Sequence, residues 1–448
     1  MRITSRLATA IAVLAFAVPM FRPVHARDGF RIASVRPPDP DSPRARERET
    51  QLIVQFRDQA VERDVARVAR EAGAARVKRS AFGNRYLVSL DAGFTTGEAM
   101  RRLGSAPEVE YAELNGPVHA FFKPNDLGFD VQWNFRMLEV ERTWDIQKGD
   151  PSVVVAILDT GIAYEDFGPY RKAPDFGGTV FVQGHDFINE DEHANDDNFH
   201  GTHVASTVAE ATDNTVGVTG LAFRCALMPV KVLDQNGDGS FFDVAEGIDF
   251  AARNSSVKVI NLSLGGDGNS ATVRAAIDRA VAAGITVVAA AGNDGRGTVS
   301  FPAALPNVIA VGAIDGRKQK APYSNFGTDL DLVAPGGDNR RDDVGSPTGG
   351  PDGRPDGILQ QTLDPDSAER GIFDDFGYFF VTGTSQATPH VAALAALLYQ
   401  QGIKDPAAIK AAMEQTAEDL GASGRDDTFG NGLIRPSLAL KGLGLNLK

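Results

Sequence analysis

Three short motifs contain side chains that together could perform nucleophilic catalysis. Asp159 lies in Asp-Thr-Gly at the end of an apolar run, His200 begins His-Gly-Thr-His, and Ser385 lies in Gly-Thr-Ser before a second apolar run. A serine hydroxyl becomes a competent nucleophile when an imidazole accepts its proton, and a buried carboxylate orients that imidazole and stabilises its charge. The three residue types therefore meet the requirements of acyl transfer.

Each motif also has a non-catalytic explanation. Asp159 could cap a turn, and Ser385 could be the N-cap of a helix. His200 and His203 are three residues apart, which could indicate a metal pair, but no His-Glu-x-x-His pattern accompanies them. Asp-Thr-Gly also occurs in aspartic proteases, but these need two such loops and the chain has one. The chemistry is indicated by the three motifs together, not by any one of them.

The surrounding sequence predicts the elements that would hold these residues. After residue 125, apolar runs typical of strands buried on both faces alternate with helical segments. These runs are Val153–Leu158, Ala226–Val232, Val257–Leu262, Ile285–Ala290 and Val308–Ala313. The alternation predicts an α/β fold with a mainly parallel sheet, in which functional groups collect at the carboxyl ends of the strands. Residues 336–372 are rich in Gly, Asp and Pro and are predicted to be an acidic insertion.

The first 118 residues predict three further segments. Residues 1–26 have the pattern of a signal peptide, since Arg2 and Arg6 precede the apolar run Leu7–Phe21. This run is too short, and too interrupted by Pro19, for a membrane span, so we expect no stable anchor after its removal. Residues 27–50 read as a flexible linker, and 51–118 as a small α+β unit with the ferredoxin-like order β-α-β-β-α-β. We therefore expect a secreted, extracellular protein, with the periplasm as an alternative.

In the chain order Asp, His, Ser, the three motifs resemble those of the subtilase family, and most closely its thermitase-like secreted branch. The resemblance covers residues 125–442 and implies a three-layer subtilisin-like fold and serine endopeptidase activity, with 51–118 as an inhibitory propeptide. The segment Val-Val-Ala-Ala-Ala-Gly-Asn ending at Asn293 is similar to the family's oxyanion-hole segment, which implies that Asn293 is catalytic. One departure is Gln386, where the family usually has Met after the nucleophile.

The resemblance also implies the residues that bind substrate. Two segments match the walls of the pocket for the residue before the scissile bond (P1), and one residue matches its base. They are Ser263, Leu264, Gly265, Gly266, Ala290, Ala291, Gly292 and Ser300. Because Ser300 is small and uncharged, we expect a preference for large apolar P1 residues.

Structural Ca²⁺ is a further expectation. The single cysteine, Cys225, excludes an internal disulfide, so an exported enzyme needs another source of rigidity. The resemblance implies one calcium site and a weaker second one, built from side-chain and carbonyl oxygens as calcium requires. The first comprises Asp126, Asp175, Ala211, Asn214, Val216 and Val218, and the second Asp186, Asn189, Asp191 and Asn195. The alternative for both is an ordinary polar loop.

The charge distribution bears on partners and processing. Residues 1–120 carry a net charge of +5 and the remainder −19, so the two parts should attract each other. The acidic body argues against nucleic acid as a partner. We expect protein or peptide substrates, a monomer, and self-cleavage between Asn115 and Asn125.

Two other classes of protein fit less well. A dinucleotide-binding oxidoreductase would need Gly-x-Gly-x-x-Gly after the first strand, where the chain has Asp-Thr-Gly-Ile. A non-enzymatic subtilase relative would usually lack one of Asp159, His200 and Ser385, and all three are present.

Overall fold

A computed structural model describes residues 50–116, 122–342, 344 and 350–440. The described residues divide into two compact units, one within Val24–Phe121 and one within Phe122–Lys448. Outside the described residues lie the predicted signal peptide and the predicted linker up to residue 49. The last two residues of each predicted domain, 117–118 and 441–442, also lie outside them. In the described part of the chain, no helix combines the length and apolar character needed to cross a bilayer.

The first unit is a four-stranded antiparallel sheet with two helices. Its elements are β1 (Gln51–Phe56), α1 (Glu62–Glu71), β2 (Ala74–Arg79), β3 (Arg85–Leu90), α2 (Thr96–Gly104) and β4 (Val109–Leu114). The strand order is β2-β3-β1-β4. Alternate residues of β1, including Leu52 and Val54, are fully buried in one core with Val65 and Val68 of α1. This alternation with period two produces a half-buried sheet, and the ferredoxin-like order is confirmed.

The second unit contains the other strands and helices. Its strands are β5 (Val154–Asp159), β6 (His185–Asp186), β7 (Ala226–Lys231), β8 (Val257–Leu262), β9 (Thr286–Ala290), β10 (Val308–Ile314), β11 (Leu332–Pro335), β12 (Ile358–Leu363) and β13 (Phe376–Val381). Its helices are α3 (Trp133–Met137), α4 (Val140–Trp144), α5 (His200–Ala209), α6 (Phe241–Arg253), α7 (Ala271–Ala282), α8 (Pro365–Glu369), α9 (Thr384–Gln401), α10 (Pro406–Thr416) and α11 (Pro436–Leu440).

A seven-stranded sheet organises this unit. The strand order is β11-β10-β9-β8-β5-β7-β6, and all neighbouring pairs are parallel. Every residue of β5, β7, β9 and β10 is buried, because helices cover both faces of a parallel sheet. Helix α9 packs against β8 to β11, and α6 packs against β5, β7 and β8. The predicted α/β fold with a mainly parallel sheet is confirmed.

The predicted insertion at 336–372 includes regular structure that its composition did not indicate. It contains helix α8 and strand β12, which pairs with β13 as an antiparallel hairpin. All six residues of β12 are buried, although three of them are Gln360, Gln361 and Thr362. The Gln361 amide oxygen accepts a hydrogen bond from the Asp175 backbone at 2.7 Å. Buried polar side chains that are satisfied by distant partners hid this strand from its hydrophobic pattern.

Candidate active site

The three motif residues occupy the ends of regular elements. Asp159 is the last residue of β5 and is fully buried, His200 is the first residue of α5, and Ser385 is the second residue of α9. The α5 helix lies very close to the Asp-Thr-Gly turn, since a Cβ on Gly201 would be 2.1 Å from the Gly161 carbonyl oxygen. Glycine at this position therefore allows the close approach of His200 to Asp159.

Asp159 and His200 are in direct contact. The Asp159 Oδ1 atom lies 2.7 Å from His200 Nδ1 and also accepts a hydrogen bond from the Thr160 backbone at 2.8 Å. Burial alone would lower the pKa of His200, but the charge of Asp159 and its hydrogen bond raise the pKa above the ordinary value. The contact fixes the tautomer, so that Nε2 is the free nitrogen of a neutral ring.

A loop that sequence reasoning missed holds the start of α5. The buried Asp196 accepts hydrogen bonds from the Thr160 hydroxyl at 2.8 Å and from the Thr202 backbone at 2.9 Å, and so joins β5 to α5. Phe199, directly before His200, has a φ of 147°, a conformation that costs energy for a residue with a side chain. The Asp-Asp-Asn run before the helix is the only sequence signal for this arrangement.

Ser385 is held by the end of β8. Its hydroxyl donates to the Ser263 carbonyl at 3.1 Å, and the Ser263 hydroxyl donates to the Ser385 carbonyl at 2.8 Å. Asn261 donates in turn to the Ser263 hydroxyl at 3.0 Å. Ser263, predicted as a substrate-binding residue, therefore also positions the serine of the third motif.

The predicted oxyanion donors converge on one point. A Cβ built on Gly383 would lie 3.6 Å from both Asn293 Nδ2 and the Ser385 backbone nitrogen. Asn293 Oδ1 accepts hydrogen bonds from the Thr384 backbone at 2.8 Å and from the Thr384 hydroxyl at 2.9 Å. These two bonds orient the amide so that Nδ2 is directed away from Thr384. The Gln386 side-chain oxygen is closer to this point, at 2.7 Å, so the residue that departs from the family's Met lies beside both donors.

A cavity of about 300 Å³ lies beside Ser385. Six of the predicted substrate-binding residues line it, namely Leu264, Gly265, Gly266, Ala290, Gly292 and Ser300. Ala291 does not line the cavity, because it is fully buried in the core of the second unit. A Cβ on Gly292, whose φ is +105°, would be 2.4 Å from the Ser300 hydroxyl oxygen. Glycine is required there because φ is positive and because a Cβ would collide with the Ser300 hydroxyl.

Charged residues that sequence reasoning missed also line this cavity. They are Asp267, Asp294 and Arg296, which flank the two predicted wall segments. Asn325 was missed as well, although it donates to the Ser300 hydroxyl at 3.2 Å and to the Ala291 carbonyl at 3.2 Å. No nearby motif indicates any of these residues, since only the fold brings them to the cavity.

A larger cavity of about 1150 Å³ adjoins the first, and both are lined by Leu264, Gly265 and Gly266. His200 lines the larger cavity and Ser385 the smaller one. A groove that is continuous past both residues can accept an extended peptide on each side of a reacting bond.

Comparisons with known proteins agree with this geometry. The profile of the subtilase family matches residues 150–432, which is more than half of the chain. The chain belongs to the subtilase family. It is therefore a serine protease of the subtilisin type, and residues 40–115 match the fervidolysin N-terminal prodomain.

Individual relatives cover most of this subtilase. A thermophilic serine proteinase of Bacillus sp. strain AK1 is 36% identical over 386 residues, which are 85% of each chain. Thermitase of Thermoactinomyces vulgaris is 34% identical over 304 residues, covering 68% of this chain and 94% of thermitase. Among solved structures, a protease from Pseudoalteromonas arctica aligns with a TM-score of 0.62 and 31% identity, covering 71% of this chain and 99% of its own.

His203 of the subtilase is built into the core. It is fully buried, and its Nε2 atom lies 3.0 Å from the Ile358 carbonyl oxygen. Burial lowers the pKa of His203 to about 3, so the ring is neutral. His203 therefore anchors the hairpin of β12 to α5, and Nε2 is committed to this contact rather than to a metal shared with His200.

The residues predicted for the first calcium site lie close together. Asp126 accepts a hydrogen bond from the Asp213 backbone at 2.7 Å, and Asp175 accepts from Asn214 at 2.8 Å and from the Val218 backbone at 3.0 Å. Asp126 Oδ1 is buried and has no hydrogen-bond donor among the described residues. Burial raises the pKa of both Asp126 and Asp175 to about 6. A bound cation would satisfy this oxygen of Asp126, although the described residues contain no group of three or more His, Cys, Asp or Glu side chains placed to hold a metal ion.

Further hydrogen bonds connect the residues predicted for this first site. The Ala211 backbone donates to the Asp175 carbonyl at 3.1 Å, and the Val216 backbone donates to the Asn214 side-chain oxygen at 2.8 Å. Glu210 was missed, although it is fully buried and next to Asp175. Burial, and then the charge of Asp175, raise the pKa of Glu210 well above the ordinary value, which favours its neutral form.

The residues of the second predicted calcium site are used within their own loop. Asp186 accepts hydrogen bonds from the Asn189 backbone and from the Asn189 side chain, both at 2.8 Å. Asp191 accepts from the His193 backbone at 2.7 Å, and Asn195 donates to Glu165 at 3.0 Å. Three of the four residues thus form a hydrogen-bonded turn, and the Asn195 amide is directed elsewhere. This loop fits a cation less well than the first.

The pH dependence of activity should report on His200. A general base must be neutral, so kcat/KM should fall as the pH falls through the pKa of His200. Because Asp159 raises this pKa, the midpoint of the acid limb should lie above 6.5, the ordinary imidazole value. Hydrolysis of an uncharged peptide from about pH 5 to about pH 9 measures the limb. A midpoint below the ordinary value would contradict the expected effect of Asp159.

Proposed function

We propose that this subtilase is an endopeptidase that cleaves peptide bonds through an acyl-enzyme on Ser385. The observation that carries the proposal is the 2.7 Å contact of buried Asp159 with His200, in a groove that continues to Ser385. Asp159 stabilises the imidazolium that forms when His200 accepts the serine proton. Without substrate the Ser385 hydroxyl donates to Ser263, so it must rotate toward His200 Nε2 before attack.

The rest of the mechanism follows from the donors around Ser385. Attack on the carbonyl carbon produces a tetrahedral oxyanion, to which Asn293 Nδ2 and the Ser385 backbone N–H would donate. His200 then gives its proton to the leaving amine, and the acyl-enzyme remains. A water molecule that is deprotonated by His200 releases the second product and restores Ser385.

Covalent labelling tests the nucleophile. A fluorophosphonate probe should modify the mature enzyme once, on Ser385, because phosphonylation needs the activated hydroxyl. Peptide mass spectrometry identifies the labelled residue. Ser263, whose hydroxyl donates to the Ser385 carbonyl, is the internal control. Label on a residue other than Ser385, or no label on enzyme that cleaves casein, would refute the proposal.

We further propose that large apolar P1 residues are preferred. The predicted wall residues that line the cavity are Leu264, Ala290 and three glycines, and the predicted base is the uncharged Ser300, while the charged Asp267, Asp294 and Arg296 lie at its edges. Contacts of an apolar P1 side chain with such walls discriminate weakly, by about 1–3 kcal/mol for each methylene. Peptides that differ only at P1 should therefore be cleaved faster after Phe or Leu than after Ala.

We also propose that the first unit is an inhibitory propeptide and that the enzyme is exported as a monomer. The match of residues 40–115 to a prodomain and the opposite charges of the two parts of the chain support the first point. The apolar run behind Arg2 and Arg6 supports export, although it lies outside the described residues.

We propose one structural Ca²⁺ held by Asp126, Asp175 and Asn214 with carbonyl oxygens of Ala211, Val216 and Val218, while the loop at Asp186 is a weaker candidate. Bound calcium supplies electrostatic cross-linking of these loops. Calcium at a hundred times its Kd would stabilise the folded state by about 2.7 kcal/mol. A chelator should then lower Tm by about 5 °C or more and leave the initial rate nearly unchanged.

Asp126→Asn is the variant that tests this site, because it removes one buried carboxylate. Its Tm should respond much less to a chelator than the parent's. Asp130→Asn is the matched control, since Asp130 is nearby but exposed and paired with Lys123 at 2.9 Å. A parent whose melting curve is the same with and without chelator would refute the calcium proposal.

A further inference from the structure

Arg296 joins the two walls of the P1 cavity. Its guanidinium contacts Asp267, which directly follows the first wall, and lies 3.4 Å from Asp294, which follows the second. It also donates to the Ser300 hydroxyl at 3.3 Å, at the base of the cavity. One cation therefore faces two carboxylates and the pocket base at once.

The backbone around Arg296 is held without its side chain. The backbone nitrogens of Asp294 and Arg296 both donate to the Asn325 side-chain oxygen, at 3.0 and 3.2 Å. The Phe326 backbone donates to the Arg296 carbonyl at 3.0 Å. Replacement of the guanidinium should thus change the charge of the cavity and leave the shape of its loop intact.

We propose that Arg296 determines P1 specificity by offsetting the negative charge of the Asp267 and Asp294 carboxylates, so that the three side chains together carry a charge of −1 instead of −2. The inference rests on the proposed endopeptidase function and extends it to charged substrates. With Arg296 present, a Lys or Arg at P1 meets a guanidinium that already occupies both carboxylates, so a cationic substrate is attracted less than it would be by two free carboxylates. Without Arg296, two unpaired carboxylates line the cavity and attract a cation.

The size of the effect is limited by exposure. The side chains of Asp267, Asp294 and Arg296 are 76%, 61% and 38% exposed, so water and salt screen their charges. The effect of Arg296 on selectivity should therefore be near tenfold and should depend on ionic strength. Arg296 should change the relative kcat/KM values of different substrates and not the chemical step itself.

The test compares Arg296→Gln with the parent on three peptides that differ only in Phe, Lys or Glu at P1. Active enzyme is counted in each preparation with the fluorophosphonate probe. The kcat/KM ratio of Lys over Phe should rise about tenfold in Arg296→Gln, which is about 1.4 kcal/mol. Arg279→Gln is the matched control, because Arg279 is an exposed arginine paired with Asp249 at 2.6 Å and does not line the cavity. The kcat/KM ratio of Lys over Phe for Arg279→Gln should equal that of the parent.

Asp267→Asn supplies the opposite change. It leaves Arg296 with one carboxylate. The kcat/KM ratio of Glu over Phe at P1 should therefore rise severalfold, and the kcat/KM ratio of Lys over Phe should fall. Both shifts should shrink in about 1 M NaCl, where the Debye length is about 3 Å.

Different failures have different meanings. Suppose that Arg296→Gln and Arg279→Gln are both labelled on Ser385 and have the same kcat/KM ratio of Lys over Phe. The inference about Arg296 is then overturned, and the proposed function stands. A ratio that changes but is insensitive to salt would also overturn it, since the effect would be steric. If the parent is not labelled on Ser385, the proposed function fails first.

Discussion

The precursor with Ser385→Ala should remain uncut when it is expressed alone in a protease-deficient host. If the chain processes itself, the nucleophile that cleaves substrates also cleaves between Asn115 and Asn125, a segment of which 117–121 lie outside the described residues. In subtilisin, a member of the same family, loss of the nucleophile reduces kcat by ~10⁶-fold. Mass spectrometry should find the first unit attached in the variant and released from the parent.

A small amount of mature parent enzyme provides the control. Added to the Ser385→Ala precursor, it should cut within the same segment, which would show that the variant is folded and its junction accessible. Ser263→Ala should still process itself, because it removes the hydroxyl that donates to the Ser385 carbonyl but keeps the Ser263 carbonyl that accepts from the Ser385 hydroxyl. Normal maturation of Ser385→Ala alone would rule out self-processing.

The fold could be predicted largely because its strands are apolar at consecutive positions. The run Val153–Leu158 predicts a strand that the structure places at Val154–Asp159, in the middle of the parallel sheet. Strand β12 could not be predicted in this way. Its Gln360 and Gln361 side chains are buried against residues more than a hundred positions away, and no local pattern encodes such partners.

The candidate site shows the same division. Asp159, His200 and Ser385 could be found because the chemistry demands these residue types within short motifs, and the structure brings Asp159 to His200. Asp196 and Asn325 were not found, because their role is to fix other residues across the fold. In the sequence, a buried Asp or Asn whose hydrogen bonds are satisfied looks like any other Asp or Asn. It can be recognised only when its neighbours in the fold are known.

The charges of the P1 cavity are the clearest case of a missed determinant. Ser300 alone predicts an uncharged base, and that part of the expectation agrees with the residue found there. Arg296 reaches the same base from four residues away because its side chain is long, and Asp267 meets it from the other wall. Specificity in such a pocket depends on side-chain reach, which a motif does not encode.

Asn293→Ala should reduce kcat by ~10²–10³-fold and leave KM nearly unchanged, the magnitude known for the corresponding donor of subtilisin. The donor meets the oxygen only when negative charge develops, so its loss affects the transition state rather than substrate binding. Steady-state hydrolysis of one apolar P1 peptide, with active sites counted by the fluorophosphonate probe, measures both constants.

Thr384→Val separates the donor from its support. Valine removes the hydroxyl that donates to Asn293 Oδ1 at 2.9 Å and accepts from the Gly292 backbone at 3.2 Å, but the Thr384 backbone still donates to the Asn293 oxygen at 2.8 Å. The amide should therefore keep its orientation, and kcat should fall less than about tenfold, since a neutral hydrogen bond contributes about 1 kcal/mol. Equal losses in both variants would mean that Asn293 acts by holding the start of α9, and a loss confined to KM would place it in substrate binding. Only a large loss of kcat that is specific to Asn293→Ala agrees with an amide that binds the oxyanion.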